Sequence, residues 1–178
     1  SNQSANRTYK FITVGSLERR KGHLRVLNVL SELSEINFQY TIIGKGSQIE
    51  NIFNKITELN LEGKVKHIPF TNDVAKYLSE SDIFLQGSYV EGFPNALIES
   101  CAVGTPAVVF DAPGGINEII LDDVNGFIVN SEDDYKNKIL KAINKDWDPQ
   151  IIHNSVFEKY NSNTIIKKYE SLFDSCLN

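Results

Sequence analysis

Positive charge is too sparse in this sequence to serve a nucleic acid: 18 Lys and Arg stand against 23 Asp and Glu, a formal net charge of −5. A nucleic-acid footprint would be basic, so that class of partner is set aside. Cysteine is scarce as well. Cys101 and Cys176 lie in separate apolar segments without CxxC spacing. That argues for two packed, reduced thiols in a cytoplasmic protein and against a disulfide framework or a thiolate metal site. No apolar run approaches the roughly 20 residues that span a bilayer, and no secretory n-region or h-region opens the chain. Histidine is equally thin: His23, His67 and His153 are scattered with no ligand spacing. Asp146-Trp-Asp148 is the one Asp-x-Asp, and it falls where a capping turn between helices is expected, so no metal cofactor is expected. Serine or cysteine nucleophiles have no nucleophile elbow to support them. Repeats, low-complexity tracts and Pro/Gly/Ser linkers are missing too, which leaves the 178 residues to one domain with a sizeable core. Residues 1–8 are expected to be disordered or tag-derived.

What is present is an alternation. Phe11–Val14, Tyr40–Ile43, Val65–Ile68, Ile83–Leu85, Ala107–Phe110 and Phe127–Val129 read as short strands, several apolar almost throughout. Such strands suit a sheet covered on both faces. Between them apolar residues recur at helical spacing: Leu24, Leu27, Val29, Leu30 and Leu33; Ile49, Ile52, Phe53, Ile56 and Leu59; Val74, Tyr77 and Leu78; Tyr135, Ile139, Leu140 and Ile143. Beyond residue 140 only helical pattern remains, with Phe157, Ile165, Ile166, Tyr169, Leu172 and Phe173 on it. The class is α/β: right-handed βαβ units in an open parallel sheet of about six strands, with helices on both faces and a C-terminal helical segment. Ligands of such sheets bind beyond the carboxyl ends of the strands, so the loops there carry the chemistry.

Gly15-Ser16-Leu-Glu-Arg-Arg20-Lys21-Gly22 follows the first strand and crowds cations at the start of the next helix. Cations there oppose the helix macrodipole. An anionic ligand would offset that cost; a solvated basic turn explains the residues equally well. Gly44-Lys-Gly-Ser-Gln-Ile49 follows the second strand and begins like the dinucleotide fingerprint. It has Gln48-Ile49 where the third Gly belongs, so a nicotinamide cofactor is not expected. After the fourth strand comes Glu91-Gly-Phe-Pro-Asn-Ala-Leu-Ile-Glu99. Pro94 suits a first helical turn, with the N–H groups of Asn95, Ala96 and Leu97 free for phosphate. Glu99 projects one turn deeper on the face of Asn95, where its carboxylate suits the two vicinal hydroxyls of a ribose. Glu91 stands on the other side of the phosphate position, where a sugar carried on the diphosphate would lie. The plainer alternative, two glutamates stabilising a helix N-terminus, accounts poorly for Glu91 ahead of the turn and for Glu99 in a packed helix.

These segments resemble the C-terminal domain of glycosyltransferase family 4, retaining enzymes of the GT-B fold. The match runs from residue 10 to about residue 175. It includes Val14-Gly-Ser-Leu…Lys21-Gly22, Ile43-Gly-Lys-Gly46, Ser81-Asp-Ile-Phe-Leu85, Glu91 to Glu99, Gly104-Thr-Pro106 and Gly114-Gly-Ile-Asn-Glu-Ile-Ile120. The resemblance implies a Rossmann-like donor domain, polysaccharide biosynthesis, and a hexosyltransferase that uses a UDP- or GDP-type sugar without a metal. It implies that Glu99 holds the ribose, the Asn95 to Leu97 amides the distal phosphate, and Gly92, Phe93 and Glu91 the donor sugar. Lys21 would act on the leaving diphosphate beside Gly15, Ser16 and Arg20, and the base would lie near Gly44, His67 and Phe70. The acceptor, a glycan or lipid-linked sugar, belongs to an N-terminal domain that this chain lacks, so the chain alone is expected to be inactive. The parent would work in the cytoplasm or peripherally at the cytoplasmic membrane face. The family usually carries Arg five residues before that Lys, where this chain has Ser16; Arg19 or Arg20 would have to substitute. A GT-B sugar-nucleotide epimerase, a phosphorylase-like enzyme and a catalytically silent nucleotide-binding domain are the other readings. The phosphorylase lacks its PLP-lysine motif here, and turnover by the parent separates the rest.

Overall fold

The structure, a computed structural model, describes residues 7–161 and 172–175. Six parallel strands form one sheet in the order β3-β2-β1-β4-β5-β6. They are β1 (Thr8–Val14), β2 (Asn37–Ile43), β3 (Val65–Ile68), β4 (Ile83–Gln86), β5 (Ala107–Phe110) and β6 (Gly126–Val129). All six expected strands are present, with β1 and β2 extended by three residues at their exposed amino ends. Thr8 opens β1 and Arg7 pairs with Asp82, so these two belong to the fold; the remainder of the expected 1–8 tail lies outside the described residues.

The helices α1 (His23–Ser31), α2 (Ile49–Glu58), α3 (Val74–Ser79), α4 (Asn95–Ala102), α5 (Ile116–Ile119), α6 (Glu132–Ile143) and α7 (Pro149–Tyr160) complete the described alternation. Two apolar cores result, one on each face. Leu27 and Leu30 of α1, Ile52 of α2, and Tyr135 and Ile139 of α6 pack on one. Leu78 of α3, Leu97 and Ile98 of α4, Ile116 of α5, and Ile152 and Val156 of α7 pack on the other. This double cover is why the strands read as unbroken apolar runs rather than alternating ones. Cys101 sits in the second core, where burial pushes its thiol up to about 12. Leu172 packs against that core, and Phe173 is buried with its ring stacked on that of His153 at 4.0 Å; Ile165, Ile166, Tyr169 and Cys176 fall outside the described residues.

Asp148 caps α7 by accepting from the Gln150 and Ile151 amides at 2.9 and 3.3 Å, the turn expected of Asp146-Trp-Asp148. The strand order runs outward from β1 in one direction and from β4 in the other. The switch point therefore lies between β1 and β4, and the loops leaving those two strands open a crevice there.

Candidate functional site

Two loops meet at the switch point because neither carries a side chain at the crossing. A Cβ on Gly22 would stand 1.9 Å from the Gly87 carbonyl oxygen, and one on Gly87 would stand 2.5 Å from that of Gly22. Gly22 also adopts φ of 63°, a left-handed conformation that glycine takes without strain. The Tyr89 amide donates to the Arg20 carbonyl at 2.8 Å, which closes the same contact. Arg25 of α1 clamps the loop after β4 from beneath. Its guanidinium donates to the Gly87 and Ser88 carbonyls, each at 2.5 Å, and lies over the rings of Tyr89 and Phe110.

The crossing brings Lys21 to Glu91 over 70 residues of sequence. The Lys21 Nζ donates to both carboxylate oxygens of Glu91, at 2.9 and 2.8 Å. The Glu91 side chain is 2% exposed and that of Lys21 20%. The Ser88 hydroxyl donates to the same carboxylate. The Glu91 amide donates to the Pro113 carbonyl at 2.9 Å, and the Gly114 backbone approaches so closely that a Cβ there would stand 1.9 Å from the Glu91 backbone carbonyl oxygen. Glu91 is therefore a buried ion-pair partner fixed from three loops, a structural attachment that its position ahead of the turn did not suggest.

Arg19, Arg20 and Lys21 form a 3-10 turn of their own, separated from α1 by Gly22, so they do not occupy the first turn of α1 as expected. The three cations divide. Lys21 turns inward to Glu91, while Arg19 and Arg20 line an open cavity of about 770 Å³ with Glu18, Leu24, Gln48, Ile52 and Tyr89. The Arg20 guanidinium is held by Glu18 at 3.0 Å, and Ser16 is half-buried in the same loop.

Helix α4 begins at Asn95, with Pro94 as its N-cap rather than inside the first turn. Two of the three amides expected to be free are engaged: Asn95 donates to Phe93 at 2.9 Å and Leu97 to Pro94 at 3.2 Å. A first turn this tight closes on itself, leaving the Ala96 N–H without a backbone acceptor among the described residues. Glu99 lies half-buried in α4, one turn beyond the exposed Asn95. Gly92 and Phe93 are exposed in the loop leading to the helix.

On the other side of β1, Gly15 and Gly44 leave their strands back to back; a Cβ on Gly44 would meet the Gly15 carbonyl oxygen at 1.8 Å. His67 of β3 joins this edge through a 2.8 Å hydrogen bond between its Nε2 and the Gly44 carbonyl, and Phe53 meets its ring edge-on. Phe70, just past β3, is 69% exposed. The expected residues thus gather along one edge in two groups: Gly15, Gly44, His67 and Phe70 at the ends of β1 to β3, and Lys21 with Glu91 and the start of α4 at the switch point.

His23, Gln86, Ser88 and Arg25 were not singled out as site residues from sequence. Both ring nitrogens of His23 and the Gln86 Nε2 are buried without a partner. They line a cavity of about 10 Å³ together with Lys21 and Glu91 themselves and with Thr13, Ser88 and Gly15. Burial first, and the Lys21 charge second, lower the His23 pKa to about 4. No local pattern announces these residues: Arg25 reaches its loop across 62 residues. Among the described residues no group of three or more His, Cys, Asp or Glu could hold a metal ion, and no helix is long and apolar enough to cross a membrane.

The family model for glycosyl transferases group 1 matches residues 1–163. N-acetylgalactosamine-N,N'-diacetylbacillosaminyl-diphospho-undecaprenol 4-alpha-N-acetylgalactosaminyltransferase of Campylobacter jejuni is 34% identical over 135 residues, 75% of this chain and 36% of that protein. The chain spans about a third of the length of the curated relatives it matches first. Among solved structures, the lipopolysaccharide outer core galactosyltransferase WaaB superposes with a TM-score of 0.81 at 21% identity, over 97% of this chain and 50% of that one. Anabaena Alr3699/HepE, in complex with UDP and glucose, superposes with a TM-score of 0.76 at 21% identity, over 96% of this chain and 48% of that one. The sheet with helices on both sides is that of the C-terminal domains of GT-B glycosyltransferases. By its family match and its relatives, this chain belongs to the glycosyl transferases group 1 family.

Proposed function

We propose that this chain is the donor-binding part of a retaining glycosyltransferase, and that it takes a nucleoside diphosphate sugar at the β1/β4 switch point. The observation that carries this reading is the meeting of Lys21 and Glu91 across that crevice, ahead of the α4 N-terminus. Lys21 neutralises the charge that develops on the departing diphosphate, and the Ala96 amide at the positive end of α4 adds a fixed dipole to the same task. Glu99 accepts from the ribose diol, and Glu91 accepts from hydroxyls of the transferred sugar. Gly44, His67 and Phe70 flank the base. Charge is supplied by side chains and amides, so no metal takes part. UDP is the first nucleotide to test, because HepE was solved with UDP, with GDP as the second. The name of the Campylobacter relative, with its diphospho-undecaprenol, supports a lipid-linked acceptor in polysaccharide assembly at the cytoplasmic face of the membrane. That acceptor is held by a partner domain, so this chain alone transfers no sugar. Ser16 favours one second reading, a nucleotide-binding domain without turnover, because Arg20 is already held by Glu18.

The deciding measurement is a thermal-shift and calorimetric panel of UDP, GDP, ADP and their sugar conjugates, with and without EDTA. One diphosphate and its conjugate should bind below millimolar concentration and be indifferent to EDTA. Binding by none of them overturns the reading, and EDTA-sensitive binding overturns its metal-free mechanism.

A further inference from the structure

Lys21 and Glu91 engage each other before any ligand arrives. In this structure two of the three ammonium N–H donors go to the two oxygens of Glu91, at 2.9 and 2.8 Å, and the carboxylate is 2% exposed. Suppose a diphosphate draws Lys21 away. Glu91 cannot follow it into solvent, because its backbone is pinned to Pro113 and packed against Gly114, and Ser88 holds its carboxylate in place. A buried carboxylate that loses its cation keeps the desolvation penalty and loses the compensation. Two kinds of ligand then differ. A bare nucleoside diphosphate takes Lys21 and offers Glu91 nothing. A sugar-bearing diphosphate takes Lys21 and supplies hydroxyl donors in exchange, and hydrogen bonds to a charged acceptor are among the stronger ones.

We propose that the Lys21–Glu91 ion pair is a specificity device that favours the sugar-bearing donor over the bare nucleoside diphosphate, by making the loss of Lys21 costly unless hydroxyls replace it on Glu91. The inference rests on the donor-binding reading above. It assigns Glu91 a second effect besides contact with the sugar: it weakens the hold on the diphosphate left after transfer, and so assists its release. Ser88 sets how firmly the carboxylate stays in place.

The test is calorimetric titration of this chain with UDP and UDP-glucose, and with GDP and GDP-mannose beside them. The unsubstituted chain should bind the sugar conjugate more tightly than the diphosphate. Glu91→Gln removes the carboxylate that Lys21 would abandon, so the bare diphosphate should bind roughly tenfold more tightly while the preference for the conjugate collapses. Ser88→Ala acts in the opposite sense. Without the hydroxyl the carboxylate depends more on Lys21, so the bare diphosphate should weaken several-fold and the preference should widen. Melting curves accompany each variant, and if Glu91→Gln does not fold the Ser88→Ala arm decides. A Glu91→Gln chain that binds the bare diphosphate unchanged or more weakly overturns the proposal but leaves donor binding intact. If neither diphosphate nor conjugate binds the unsubstituted chain, the donor-binding reading itself has failed.

Discussion

The two edges of the sheet handle polar groups differently. At the amino edge Asp82 pairs with Arg7 at 2.5 Å and accepts from the Lys10 amide at 2.8 Å, with more than half of the Arg7 side chain in solvent. Trp147 donates to the Ala142 carbonyl five residues back, and Asp148 caps the helix it precedes. At the carboxyl edge the Lys21–Glu91 pair is buried and formed across 70 residues, and two nitrogens of His23 and one of Gln86 have no partner. One edge is satisfied locally or at the surface. The other keeps charge and unpaired polarity out of water, a cost of the kind that functional sites carry and that the proposed donor site would explain. Substitution should therefore cost far more at one edge than at the other.

The largest effect is expected at Lys21. Lys21→Met strands the buried Glu91 carboxylate and should cost about 3 kcal/mol in a urea or thermal melt. Adding Glu91→Gln to the same chain should recover most of that loss, because the stranded charge is then gone. Strictly additive losses would show that the pair is not coupled, and the contrast between the edges would lose its main support.

The next effect depends on pH. The folded chain holds the His23 pKa near 4, against an ordinary value of 6.5, by burial first and the Lys21 charge second. As pH falls below about 6.5 the unfolded chain takes up this proton and the folded chain does not, so stability falls with pH until both forms are protonated near pH 4. The full loss attributable to His23 is about 3 kcal/mol. His23→Phe should flatten that part of the profile, and equilibrium melts of both chains between pH 4 and 7 provide the check. Parallel profiles would mean that His23 is not held neutral.

The smallest effects belong to the amino edge. Asp148→Ala should cost about 1 kcal/mol by uncapping α7, and Arg7→Ala less than about 1 kcal/mol, vanishing in high salt. A loss at Arg7 as large as that at Lys21 would erase the distinction between the edges.

Much of this was legible in advance because it is written in short-range pattern. Six apolar runs separated by helical periods placed every strand of the sheet, since a parallel sheet covered on both faces requires that alternation. The Glu91 to Glu99 segment stood out because a proline turn, a helix start and two carboxylates fall within nine residues. The Asp146-Trp-Asp148 turn was recognisable as a cap for the same reason. Where pattern alone was followed too far, backbone geometry corrected it. The tight first turn of α4 engages the amides of Asn95 and Leu97, and Gly22 detaches the basic turn from α1.

What tertiary structure decided is which loops touch. Gly22 and Gly114 look alike in sequence as turn residues. Folded, each admits a backbone from another loop to within a distance that a methyl group would forbid, and those approaches place Lys21 on Glu91 and hold Glu91 in place. The burial of His23 and the clamp of Arg25 on the loop after β4 arise from the same crossing. Periodicity reports how a segment relates to its own axis and to the core. It carries no information about which residues, tens of positions apart, a strand order of β3-β2-β1-β4-β5-β6 will bring together.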